Sequence, residues 1–482
     1  MVSKQEITLD PENWDEYRKI GYKIIDDIIL EYQNAGNKNA FHPFKEELLE
    51  RTSTSFPADP MDPLKVYEDL RILRETQDGN GFINPRAWGW VMGTGAPVNV
   101  MAGIFASGYN IILNSNMAWN YHIEKQAINW IKEMLDYPMS SSGIFTSGAS
   151  MANLTCLTVA RNTKAQVDIR KQGIQSVQSK MIVYGSEEMH SCHQKNVEVL
   201  GLGEESLVRI PVNDKYQIKV DELENAIKRD IEKGHQPFCI IGNAGTTNTG
   251  SFDDLNELRK ICDTFGLWLH VDGAFGAWLA LTTKYKHFVD GMTKADSIAL
   301  DLHKWMSASM GTGCALVRDS RAHYNAFSLM PDYLRHDEEL GPWIQDLGIE
   351  MSREWRGLKV WMSLKEHGVR KHGKIIEQNV DQTQYFVDRV KKHPNLELMA
   401  PAPVNVVCFR YCVDGLSEDD LDELNGKILV QSLMGGKVFI GDTKIRGRTA
   451  LRFGHVNHRS KTEDFDILYH EITRLGHELT EK

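Results

Sequence analysis

"SIALDLHKWMSAS", residues 297–309, begins as an apolar strand and then sets a histidine beside a lysine where the apolar pattern stops. A short apolar run of this kind reads as a strand buried on both faces, as in a parallel sheet covered by helices. The pattern recurs in "MIVYGS" from 181, "FCIIGNAG" from 238, "LWLHVD" from 267 and "TGCALVRD" from 312. Helical segments such as "DDLNELRKICDTFG" lie between some of them. The alternation predicts an α/β fold with a mainly parallel central sheet, and in such sheets ligands collect beyond the carboxyl ends of the strands.

Outward from this region the pattern changes twice. Toward the N-terminus, Ile20, Ile24, Ile25, Ile28 and Ile29 share one face of an amphipathic helix, and the polar, Pro-containing stretch after it reads as a connector draped over another surface. Toward the C-terminus, a long polar helix around 369–393, the strand-like "NVVCFRY" and "TALRFG" and a last helix predict a small α+β domain. The expected plan is an N-terminal arm over 1–80, a large α/β domain over 81–370 and a small domain over 371–482.

Composition excludes several classes. The net charge of −11 and the absence of a long Lys/Arg block leave no footprint for a nucleic acid. The N-terminus lacks a signal-peptide core and no apolar run could span a bilayer, so the expectation is a cytoplasmic protein with no membrane contact. Seven scattered cysteines without a CxxC pair suit reduced thiols. "HSCH" at 190–193 and "HVNH" at 455–458 lack a matching second half, so no metal site is expected.

Four strand ends carry polar groups that a dry interior tolerates only if something satisfies them. Asp272 ends one strand, His190 follows another, Thr246 and Thr247 follow a third, and His303 with Lys304 ends the fourth. Upstream, "GIFTSGASMANLTCLTVAR" runs from a strand through small residues into a helix starting near Ala149 or Ser150, whose free backbone N–H groups could hold a phosphate. Ser150 could equally be an ordinary cap, and Asp272 a cap before "GAFGAWLA". Together, however, a phosphate turn, a carboxylate and a lysine amine are what pyridoxal 5'-phosphate chemistry requires. The amine meets the cofactor aldehyde, and the carboxylate keeps the pyridine nitrogen protonated so that the ring accepts electrons.

"TSGASMAN", "MHSC", "GTTNTGSFDD", "HVDGAFGAW" and "DLHKWM", in this order, resemble the group II pyridoxal-phosphate amino-acid decarboxylases. "MPDYLRH", "SREWRGLKVWM" and "ALRFGHV" extend the resemblance along nearly the whole chain, which looks most like the aromatic L-amino-acid decarboxylases. The resemblance implies fold type I, an obligate homodimer with active sites at the subunit interface, and arms that wrap the partner. It also implies that Lys304 links to the cofactor, Asp272 meets the pyridine nitrogen and His190 stacks on the ring. Ala149 and Ser150 match the phosphate turn, Thr247 and Ala274 line the cofactor, and Asp301 and His303 stand beside the lysine and phosphate.

For the amino-acid substrate, Trp88, Trp90, Met92 and Ile112 match segments that line the side-chain pocket in the family, and Trp343 is expected as a lid residue. They favour an aromatic side chain, while Arg86 leaves aspartate or glutamate open. One departure stands out. Aromatic decarboxylases commonly protonate the carbanion with a tyrosine on a loop after "YLRH", and 337–353 here contains none, so His190 or a water is the expected donor. Relatives without that tyrosine can release an aldehyde, ammonia and peroxide instead of an amine. A reading from another class, an α/β-hydrolase using Ser150, Asp272 and His303, leaves Lys304 without a role.

Overall fold

The computed structural model describes residues 7–76, 81–113, 116, 118–329 and 342–481. Seven strands build the central sheet: β1 (Ser142–Thr146), β2 (Met181–Ser186), β3 (Leu207–Ile210), β4 (Gln236–Asn243), β5 (Trp268–Asp272), β6 (Ser297–Asp301) and β7 (Gly313–Val317). Their spatial order is β1-β7-β6-β5-β4-β2-β3. The expected mainly parallel sheet is present, with β7 reversed between β1 and β6. The connection 302–312 is too short for a helical crossover, so the chain turns straight back.

Alternation along the strands separates two apolar layers. Tyr184, Ile240, Leu269, Val271, Ile298 and Leu300 pack on one face of the sheet, and Val183, Cys239, Ile241, Ala299 and Ala315 on the other. Helices complete both layers. Leu255–Phe265 starts where the Asp254 carboxylate accepts the Asn256 and Glu257 N–H groups, and it stops at Gly266 with φ +69°.

A second, antiparallel sheet holds β8 (Leu396–Leu398), β9 (Val406–Tyr411), β10 (Gly441–Ile445) and β11 (Arg448–Gly454) in the order β10-β11-β9-β8. Helices Val369–Lys392, Glu418–Gly435 and Thr462–Thr480 cover it, around a core that includes Phe386, Phe409, Phe453 and Phe465.

At the N-terminus the amphipathic helix spans Trp14–Asn34, capped by the Asn13 side chain, and none of its residues is fully buried. Where the sequence reads as a connector, the structure forms helices Glu47–Thr52 and Pro63–Thr76. The second begins on a proline, and the Asp62 carboxylate accepts the Leu64 and Lys65 N–H groups.

Residues 87–99 form a strap between the two sheets. Trp88 N–H donates to the Phe439 carbonyl, Gly454 N–H to Trp88, Gly93 N–H to His303 and Ala96 N–H to Ser307. Gly93 permits this close approach, because a Cβ there would lie 2.2 Å from the carbonyl oxygens of His303 and Lys304. No described helix is long and apolar enough to cross a membrane.

Candidate active site

The strand ends meet at one cavity of about 300 Å³. It is lined by Ala149, Ser150, His190, Thr247, Asp272, Ala274, Asp301, His303 and Lys304, so the structure brings together every residue expected to touch a cofactor. Register explains part of this, since Asn243 at the end of β4 lies beside Asp272, and Asp272 beside Ala299.

Lys304 sits in the turn after β6, with Nζ 3.3 Å from Asp301 Oδ2. This pairing gives the ammonium at a core strand end its counter-charge. Asp301 Oδ1 accepts the Ala149 N–H at 2.6 Å, so one carboxylate ties the lysine turn to the helix Ala149–Lys164. His303 lies 3.4 Å from the same oxygen, and its Nδ1 is 3.2 Å from the Thr312 carbonyl. Gly148 precedes the helix with φ +146° and supplies no side-chain cap; the Ala149 and Met151 N–H groups donate to Asp301 and to the Gly148 carbonyl, which leaves the Ser150 N–H for an anion.

Asp272 is buried, and burial alone would raise its pKa. The His193 hydrogen bond and the nearby Lys304 ammonium oppose this and hold the carboxyl well below the usual range, so it is ionised. Its Oδ2 accepts from His193 Nε2 at 3.0 Å and from the Asn153 amide at 3.2 Å, while among the described residues Oδ1 accepts only the Ala274 N–H at 3.1 Å. Behind it Asn153 Oδ1 meets His270 Nε2 at 2.7 Å, and His270 Nδ1 meets Ser297 Oγ at 2.9 Å. The Asp272 partners His193 and Asn153, and His270 behind them, were missed by sequence reasoning. For His193 the available signal was a histidine three positions after His190; Asn153 gave none, being one of several polar residues in its helix.

His190 stands at the cavity with an open edge. Its Nδ1 accepts the Cys192 N–H at 3.1 Å, which places the proton of the neutral ring on Nε2. Displacement of water by the surrounding protein lowers its pKa, favouring that neutral form. Thr247 borders the cavity and its carbonyl accepts from Arg452, whereas Thr246 Oγ1 is used inside the turn by Thr249 and the Ser251 N–H.

The substrate-side expectations divide. Met92 lines the cavity. Trp88 does not: it is fully buried in the small-sheet core, stacked on Phe465 at 4.6 Å, with Nε1 donating to Ser460. An aromatic residue in a loop reads as pocket lining, but the strap carries this one into a second core. Trp90 and Ile112 are 60% and 66% exposed and lie off the cavity. Trp343 is also off it, at the head of the turn Ile344–Leu347, where its N–H donates to Asp346. Arg86 donates to the Lys437 and Lys38 carbonyls and lies 3.4 Å from Asp464, so it offers no cation to an acidic substrate in the cavity. The tyrosine-free loop is described from 342 onward, and 337–341 lie outside the described residues.

The two histidines of "HSCH" do not converge, but Cys192, His193 and Asp272 place potential ligand atoms within 4.8 Å of one another. Hydrogen bonds already occupy this cluster. The Asn153 amide donates to both Cys192 Sγ and Asp272, and burial pushes the Cys192 thiol up to about 12, so it is not a thiolate. None of the seven cysteines is paired in a disulfide.

These groups fit pyridoxal phosphate: a helix N–H donor at one end, an ionised buried carboxylate with a spare acceptor site at the other, and an amine between them. Comparison with known proteins agrees. Residues 108–412 match the pyridoxal-dependent decarboxylase conserved domain. An aromatic-L-amino-acid decarboxylase of Bacillus atrophaeus is 33% identical over 97% of this chain and 96% of its own. A phenylacetaldehyde synthase of Petunia hybrida is 26% identical over 92% and 90%. A solved structure of Oryza sativa TDC with PLP and tryptamine superposes with a TM-score of 0.90 at 23% identity, covering 98% of this chain and 100% of that one. The fold is therefore that of the fold type I PLP-dependent enzymes.

Proposed function

This chain belongs to the pyridoxal-dependent decarboxylase family, and we propose that it converts an aromatic L-amino acid to the corresponding amine and carbon dioxide. The observation that carries the reading is the single cavity shared by Lys304, Asp272 and the N-terminus of the helix Ala149–Lys164. Likeness to the Bacillus atrophaeus decarboxylase supports the aromatic substrate class. So does the placement of Arg86 away from the cavity.

Bound pyridoxal phosphate supplies an aldehyde for the substrate amine and an electron-accepting ring for the bond to the leaving carboxylate. Lys304 Nζ is the amine that holds the cofactor between turnovers, and Asp301 keeps it at the strand end. Asp272, charged in a dry site, holds a proton at the pyridine nitrogen. Ser150, with its backbone N–H at the positive end of the helix, would receive the phosphate, and Thr247, Ala274 and His303 would border the cofactor. His190 would border the cofactor ring, and a water held at its Nε2–H, or the ring in its doubly protonated form, would return a proton to Cα after carbon dioxide leaves.

The functional molecule in this reading is a cytoplasmic homodimer. A contiguous exposed apolar face that includes Phe105, Tyr109, Ile112 and Trp119 supports burial against a second copy, and so does the helix Trp14–Asn34 with no buried residue. The chain divides into an arm (1–80), a cofactor-binding unit (81–370) and a small unit (371–482), with the strap crossing that division.

Likeness to a phenylacetaldehyde synthase and the lack of tyrosine in the loop favour one second reading, in which oxygen intercepts the carbanion and an aldehyde results. Mass spectrometry of products from purified protein, cofactor and L-amino acids in air separates the two. Amines from tryptophan, tyrosine or phenylalanine are expected. Aldehyde with ammonia and peroxide would replace the first reading by the second.

A further inference from the structure

Asp272 is held by a residue that the reading above gives no task. His193 lies in the helix Cys192–Val199, is fully buried, and places Nε2 3.0 Å from Asp272 Oδ2. An ionised carboxylate only accepts, so His193 carries its proton on Nε2. Its Nδ1 is then buried with no hydrogen-bond partner among the described residues. A purely structural filler at this position need not be polar, since Val197 and Leu200 on the same segment are apolar and buried. His193 is therefore a polar ring kept in a dry place with one edge engaged, and that edge faces the carboxylate.

We propose that His193 is a positioning residue that acts through Asp272, fixing the carboxylate's orientation and keeping it charged for the pyridine nitrogen of the cofactor. The inference rests on the proposed cofactor reading. With Oδ2 filled by His193 and Asn153, an acceptor site is left on Oδ1, which among the described residues takes only the Ala274 N–H. His270 extends the array by locking Asn153, so one of the two side chains on Asp272 Oδ2 is itself held from behind. Without the His193 donor, burial favours the protonated carboxyl, and the cofactor nitrogen loses its counter-charge.

The test compares His193→Gln with His193→Asn in the full-length protein. A glutamine amide reaches the place of Nε2, whereas an asparagine amide is too short. Apoprotein of each is titrated with pyridoxal phosphate, and the absorbance of the bound cofactor is followed against pH. The asparagine variant should bind cofactor about tenfold more weakly, the size of one hydrogen bond to a charged group, with a displaced pH profile. The glutamine variant should stay near wild type in both. Equal behaviour of the two variants, whether both normal or both impaired, would overturn the role of Nε2. Wild-type protein that takes up no cofactor would instead overturn the function reading and this inference with it.

Discussion

The cavity has two unlike sides. At the Asp272 end His193, Asn153 and Ala274 converge on one carboxylate, and His270 with Ser297 holds Asn153 from behind. On the side expected to meet the substrate, only Met92 reaches the cavity, while Trp90 and Ile112 face outward. The difference teaches where a single chain suffices. Holding the proposed cofactor requires fixed charges, which one sheet supplies at its strand ends; recognising an aromatic side chain would require apolar walls, which the described residues leave open.

Four predictions test that contrast. Lys304→Ala should lower turnover by about a thousandfold or more, because among the described residues no other amine lines the cavity; activity assays at saturating cofactor decide it. Trp88→Ala should cost about 3–5 kcal/mol of stability, as for a large core aromatic, yet leave the preference of kcat/KM for tryptophan over a small amino acid unchanged. A changed preference would return Trp88 to the substrate side.

The third prediction concerns acid. Burial pushes His270 and His455 down to about 3 and His323 to about 4, against ordinary values near 6.5. Below about pH 6.5 the unfolded chain binds protons that the folded one refuses, so stability is full above that pH and falls as pH drops toward these folded values. Each histidine contributes a slope of about 1.4 kcal/mol per pH unit in that window. Thermal melts of wild type between pH 7 and 5 should show the slope, and His455→Gln should flatten it.

The smallest effect belongs to Ile112→Ser. A solvent-facing site should change stability by no more than about 0.5 kcal/mol at every protein concentration. In the proposed dimer the loss is larger at concentrations where the dimer forms and shrinks on dilution, and melts over a concentration series read the difference directly.

Much of the closed end was legible in the sequence, because charged residues interrupting apolar strands stand out. Lys304, Asp272 and Asp301 each end or follow such a run. His193 was not legible, since a histidine in a short helix carries no mark of which face is buried. Trp88 was misplaced for a related reason: a loop aromatic has no periodicity, and its partners Phe453 and Phe465 are more than 360 residues away in sequence. The reversal of β7 was readable only from the length of its connection. The helices Glu47–Thr52 and Pro63–Thr76 were obscured by polar composition, although Asp62-Pro63 is a start signal.

The strap also bears on how the molecule is made. Residues 87–99 leave the ribosome early, but they dock on Phe439, Gly454 and Arg459, which are translated near the end. The contacts linking Gly93 to the lysine turn belong to the same segment. A nascent chain can therefore complete its central sheet while this segment still lacks its C-terminal anchors. Cotranslational folding should yield a protease-resistant sheet before it yields cofactor binding, and a chain truncated before residue 437 should stop at that stage.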